Sequence, residues 1–239
     1  MHTPKQAPGH YSAPENPEES EQHIALASPY TLFDAASKNV TEYIAKESTY
    51  DHALMVAKIT EIMTRRLGWD ADASKRAGQA AVLHDIGKNF IPQEILNKPG
   101  RLTAEEYTVV KTHAGLGFEY LVSQIQILFL AAILSLQHHE NINGSGYLGM
   151  TDEQIYPLAK LVAVADVFDA LFSKRPYKEA WSPERTIAQL KEDRGELFEP
   201  KYVDLILASL DEVLALYKSP DTQEPQTSSA GQPLFSTDS

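Results

Sequence analysis

The stretch AAVLHDIGKNFIP, residues 80–92, decides how this chain is read. An apolar helical run ends on adjacent His84 and Asp85, and Lys88 follows Gly87. Packing an imidazole, a carboxylate and an ammonium this closely among apolar residues costs free energy unless they are paired or hold a cation. A divalent metal with an anionic substrate would offset that cost. Further ligands must then come from elsewhere in the chain.

They are present. His2, His10 and His23 fall in a polar N-terminal segment. The other five histidines, His52, His84, His113, His138 and His139, lie at ends or faces of expected helices beside apolar residues. Asp85 and Asp166 share that setting. Taken singly, each has a plain explanation: a hydrogen-bonded core histidine, a polar helix terminus, a paired carboxylate. Lys88 alone reads as a surface residue past a helix end. Jointly, the seven ligand-type residues would be seven coincidences. Five imidazoles and two carboxylates exceed the needs of one cation and suffice for two, with one carboxylate bridging.

Composition narrows the partners. The 239 residues carry a net charge of −12. Residues 1–27 set Lys5 against four glutamates, and residues 219–239 hold three acids and no base, leaving about −6 for the remainder. Such a surface repels polyanions, so bulk nucleic acid is not an expected partner. A small anion held over cations is compatible, because the ions dominate the local field. With no cysteine, any metal must take nitrogen and oxygen ligands. No signal-peptide core is visible, and the longest apolar run, Ile125–Leu136, is too short for a bilayer. A cytoplasmic, non-membrane protein is expected.

The periodicity is helical throughout. Residues 1–27, rich in proline, read as a disordered tail, as do residues 219–239. Between them, residues 28–218 read as one all-α domain. Helices are expected over Tyr30–Lys46, Asp51–Leu67, and Asp72–Ile86 ending at Gly87. Thr103 and Glu106 form a capping box for a helix running to Ser123. A buried helix over 125–137 ends at His138-His139, before a polar, glycine-rich loop. Another runs from Pro157 to Phe172. Ser182 with Pro183 starts the next, and Pro200 starts a last helix reaching Tyr217.

The ordered set of motifs resembles the HD-GYP family of metal-dependent phosphohydrolases, which hydrolyse cyclic dinucleotides, chiefly cyclic di-GMP. The resemblance runs from Ser48 to Leu210. It rests on HDIGK at 84–88, IPQEILNKPGRLTAEEY at 91–107 and KTHAGLG at 111–117. It continues through HHENINGSGY at 138–147, VAVADVFDALFSKRPYK at 162–178 and LFEPKYV at 197–203. It implies an HD-type helical bundle. It also implies that His52, His84, Asp85 and Asp166 bind a first metal, with Asp85 bridging to a second held by His113, His138 and His139. Lys88, Arg175 and Lys178 would contact phosphate, with Asp85 and Lys88 closest to the chemistry. A hydroxide between two divalent cations would attack phosphorus, giving linear pGpG, with pGpG or GMP as the end product left open. Iron or manganese is expected; nickel and zinc also accept such ligands.

The chain departs from the family at its namesake loop. HHExxDGxGYP becomes HHENINGSGYL, with Asn143 for the acid, Leu148 for the proline, and Asn141 where a base is common. Met150, Thr151 and Glu153 replace further loop residues. Asn143 keeps a carbonyl oxygen that can support the turn. A third-metal glutamate is missing: Ser48 stands there, and Glu47 is rotated by about 100° on a helix. Two metals are therefore expected. No sensor domain is expected in the N-terminal segment, so regulation would come from a protein partner, the substrate supply or the tails. Two rival functions are a cyclic-dinucleotide-sensing or partner-docking module with little turnover, and an HD phosphohydrolase of other nucleotide specificity.

Overall fold

The computed structural model describes residues 50–124, 128–174 and 180–218. The expected helix over Tyr30–Lys46, both tails, Ser48 and Glu47 lie outside them. Among the described residues the fold is all-α, and β pairing is limited to the isolated bridges Asn143–Thr151 and Arg194–Phe198. No helix here is long and apolar enough to cross a membrane.

The centre of the bundle is helix α7, Pro157–Phe172. Pro157 suits its first turn, where the missing N–H has no intrahelical role. Apolar residues occur all round it, so it is enclosed. Leu158, Leu161, Val162, Val164 and Phe168 are buried, each worth about 1.5–3 kcal/mol relative to exposure. Around it pack α1 (Tyr50–Arg66), α6 (Phe129–Gln137), α8 (Pro183–Asp193) and α9 (Pro200–Ala208). Helix α1 contributes the stripe Val56, Ile59 and Met63. Helix α2 (Ala71–Ala81) pairs with α1 and is capped by Asp70, whose side chain accepts the Ala73 N–H. The short α3 (Gln93–Leu96) supplies the helical turn in the loop after residue 90.

Three helices end or break earlier than periodicity suggests. The helix expected over Asp72–Ile86 stops at Ala81, and a 3-10 turn follows over Ile86–Phe90. Between them the chain tightens to i→i−3 bonding: Leu83, His84 and Ile86 donate to Ala80, Ala81 and Leu83. The helix begun by the Thr103–Glu106 capping box divides at Thr112 into α4 (Ala104–Lys111) and α5 (His113–Gln124). The last helix divides at Ser209 into α9 and α10 (Leu210–Leu216). Both breaks carry a hydroxyl bonded back to a backbone carbonyl, Thr112 to Val109 and Ser209 to Leu205, which bends helices.

Candidate metal centre

Five segments converge on one point. His52 lies in the first turn of α1, His84 and Asp85 follow α2, and His113 opens α5. His138 and His139 follow α6, and Asp166 projects from the middle of α7. The tight turn after α2 aims both His84 and Asp85 inward, and Gly87 lets it lie against α5. A Cβ at Gly87 would fall 1.9 Å from the His113 carbonyl oxygen.

The ring nitrogens show how the imidazoles are used. Nδ1 of His84 contacts the Ala81 carbonyl at 2.8 Å, that of His113 the Val110 carbonyl at 2.7 Å, and that of His138 the Ser135 carbonyl at 2.9 Å. A carbonyl only accepts, so each Nδ1 donates. In the neutral ring, Nε2 is then a lone pair aimed at the common point. Nε2 of His113 and Nε2 of His138 face each other at 3.4 Å. Two lone pairs that close repel unless a cation lies by them. Nε2 of His84 and Oδ1 of Asp85 are buried without a hydrogen-bond partner. Such orphaned atoms cost about 1–3 kcal/mol each.

The carboxylates sit among these nitrogens. Asp85 Oδ1 lies 3.2 Å from His113 Nε2 and 3.5 Å from His138 Nε2, while Oδ2 lies 3.4 Å from His84 Nε2 and pairs with Lys88. Asp166 Oδ1 is 3.0 Å from His52 Nε2 and 3.9 Å from His84 Nε2. Burial alone would push the Asp85 carboxyl up; Lys88 and His84 reverse this and hold it well below the usual carboxylate range. Asp166 is likewise held low, against burial, by the hydrogen bond and charge of His52. For His52, burial lowers the imidazolium, but Asp166 and Asp169 outweigh it and raise it to about 9. Burial lowers His138, and burial plus His138 takes His139 down to about 2. Both are therefore neutral near pH 7, the state in which imidazole coordinates metal.

These groups fit a metal. Ligand atoms of Asp85, His113, His138 and His139 lie within 4.8 Å of one another, as do those of His52, His84 and Asp85, and of His84, His138 and Asp166. Two nitrogens on opposite sides of one ion are about 4.2 Å apart. Asp85 belongs to both of the first two sets. All seven ligand residues expected from sequence are thus brought together.

Beside them opens a cavity of about 510 Å³, lined by Tyr107, Lys111, Asn141, Tyr147 and Trp181 as well as His138 and His139. The Tyr147 ring packs 4.4 Å from that of His139. Lys111 Nζ lies 5.0 Å from the Tyr147 ring and 5.9 Å from that of Tyr107. Arg175 and Lys178 lie outside the described residues.

Several residues of the site were not evident from sequence. Glu140 is 3% exposed and holds the loop over 141–150 by accepting the N–H groups of Leu148 and Met150, both at 2.8 Å. A Cβ at Gly146 would meet Glu140 Cα at 2.5 Å, so the loop packs directly on the residues that follow the paired histidines. Asn143 Oδ1 accepts the Ser145 N–H at 3.0 Å, the turn its side chain was expected to support. Asp169 lies inside the motif at 162–178 with no role assigned from sequence, yet its carboxyl contacts His52. Its place one turn beyond Asp166 in a buried helix was the available signal.

Residues 23–202 match the HD domain family. The chain belongs to that family. This HD domain is 41% identical over 169 residues to the cyclic di-GMP phosphodiesterase response regulator RpfG of Xanthomonas campestris pv. campestris, covering 69% of this chain and 45% of that protein. It is 37% identical over 183 residues to 3'3'-cGAMP-specific phosphodiesterase 2 of Vibrio cholerae, covering 76% and 35%. The HD domain therefore spans less than half the length of either relative. Bd1817, an HDG"Y"P protein from Bdellovibrio bacteriovorus, superposes with a TM-score of 0.55 at 22% identity, covering 82% of this chain and 66% of that one. At that identity the likeness is one of fold. The HD-GYP resemblance of the motifs agrees with these relatives.

Proposed function

We propose that this HD domain is a metal-dependent phosphodiesterase that opens a cyclic dinucleotide, cyclic di-GMP first, to the linear dinucleotide pGpG and then GMP. One observation carries the proposal: Asp85 is shared by two sets of ligand-type side chains, and its own Oδ1 and His84 Nε2 are buried there without hydrogen-bond partners. In this reading His52, His84, Asp85 and Asp166 hold one divalent cation, and His113, His138 and His139, with Asp85 bridging, hold the other. Iron or manganese is expected. When bound, the ions supply positive charge to the phosphoryl oxygens and activate the attacking water.

The chain's own groups do the rest. The Nδ1 anchors keep the rings of His52, His84, His113 and His138 in register before substrate arrives. Lys88, beside Asp85, offsets charge that develops on the phosphoryl oxygens. Arg175 and Lys178 are assigned to phosphate by the family resemblance. Lys111 adds a cation to the cavity wall, close to the Tyr107 and Tyr147 rings. A cavity of about 510 Å³ suits a nucleotide-sized ligand. The relatives' names, one for cyclic di-GMP and one for cGAMP, support a cyclic dinucleotide. Such a substrate fits a cytoplasmic protein.

The test uses the full chain purified anaerobically with iron or manganese. It is offered cyclic di-GMP, cGAMP, cyclic di-AMP and simple phosphomonoesters, with His84→Ala and Asp85→Ala as controls. Turnover of a cyclic dinucleotide, lost in both controls, is expected. Metal-loaded protein that binds but does not cleave them would make it a sensing module.

A further inference from the structure

His52 differs from its fellow imidazoles in how its outer nitrogen is held. His84, His113 and His138 each donate Nδ1–H to a carbonyl three residues earlier, an anchor supplied by the preceding turn. His52 is the third described residue of α1. Its anchor comes from another helix: Nδ1 contacts Asp169 Oδ2 at 2.5 Å.

Asp169 is fully buried and is itself held. Its second oxygen accepts the hydroxyls of Ser173 and Tyr217, each at 2.7 Å. Tyr217 follows α10, and its ring packs edge-on against Phe172 with centroids 4.6 Å apart. The carboxyl is thus gripped on both oxygens, and its orientation fixes the direction of the imidazole.

We propose that Asp169 and Tyr217 are positioning residues that orient His52 as a metal ligand, making the end of α10 a structural part of the metal centre. The inference rests on the metal-centre reading above. Outer-sphere partners of a metal-bound histidine typically change metal affinity about 10–100-fold when removed. Tyr217→Phe deletes one hydroxyl and keeps the packed ring. Asp169→Asn keeps the shape but lets an amide donor face a ring N–H.

The experiment titrates Mn²⁺ into the metal-stripped full chain by calorimetry, counts bound ions by elemental analysis, and records the melting of each stripped protein. Wild type is expected to bind two ions. Tyr217→Phe is expected to weaken one of them about 3–10-fold and Asp169→Asn about 10–100-fold, leaving the other within twofold. A Tyr217→Phe protein that melts lower yet binds both ions as wild type does would show a merely structural hydroxyl and overturn the proposal. Should Asp169→Asn fail to fold, Tyr217→Phe decides alone. Wild type binding no Mn²⁺ would overturn the metal-centre reading and this proposal with it, whereas two ions in wild type with unchanged variants would overturn this proposal only.

Discussion

Gly87 lies so close to His113 that a methyl group on it would fall 1.9 Å from the His113 carbonyl oxygen and 2.6 Å from the Gly117 backbone nitrogen. The obstacles are backbone atoms and cannot swing aside. The contact sets the distance between Asp85 on one segment and His113 on another. Gly87→Ala is expected to force α5 away and destabilise the protein by about 1–3 kcal/mol or more. Denaturant unfolding measures this, and elemental analysis should show fewer bound ions. A variant with native stability and a full metal count would show that the turn has slack.

Restoring the family's namesake proline should weaken this protein. The Leu148 N–H donates to buried Glu140 at 2.8 Å, and proline has no N–H. Losing a hydrogen bond to a charged group costs about 1.5–3 kcal/mol, whereas proline's restriction of the unfolded chain returns about 0.4–1 kcal/mol. Leu148→Pro is therefore expected to be destabilising by about 1–2 kcal/mol, with faster hydrogen exchange at Met150 as the local signature. Equal or greater stability would contradict the role given to this bond.

Lys111 should matter to substrate and not to metal. A charge-assisted contact is worth about 1.5–3 kcal/mol, or roughly 10–150-fold in kcat/KM. Lys111→Met is expected to lose activity on this scale while keeping two ions per chain. Unchanged kinetics would remove Lys111 from the binding surface.

Chelation should lower thermal stability. At free metal 100 times Kd, each bound ion adds about 2.7 kcal/mol, or roughly 5–10 °C in Tm for a domain of this size. Identical melting with and without chelator would argue against a resident ion.

Metal uptake should release protons. His52 is raised above its ordinary value, so in the stripped protein the stability from its pairing is fully present below pH 6.5 and is lost as pH rises through about 9. Coordination requires the unprotonated ring. Binding is therefore expected to tighten as pH rises across that window, and calorimetry in buffers of different ionisation enthalpy should show proton release at pH 7. Proton-neutral binding there would count against His52 as a ligand.

Much of this was legible in sequence because it is local chemistry. Pro157, Pro183 and Pro200 each start a helix, and Thr103 with Glu106 forms the capping box. The ligand residues stood out as polar groups embedded in apolar periodicity. What periodicity could not show depends on neighbours distant in the chain. The turn after Ala81 follows from the approach of α5, and the breaks at Thr112 and Ser209 from hydroxyls that either continue or bend a helix. Glu140 looked like a loop acid and Tyr217 like a core aromatic, since each partner is remote in space or sequence. Asp169 is one more position of a helical motif until His52 is set against it.

The outer nitrogens of His84, His113 and His138 are tied to backbone of their own segments, so the cradle's shape is written into the scaffold and not imposed by its occupant. A cradle of that kind can be emptied and refilled without the chain rebuilding itself. On the metal-centre reading, one first-row ion could then succeed another, with the cell's supply weighing beside ligand type and geometry in which one is held.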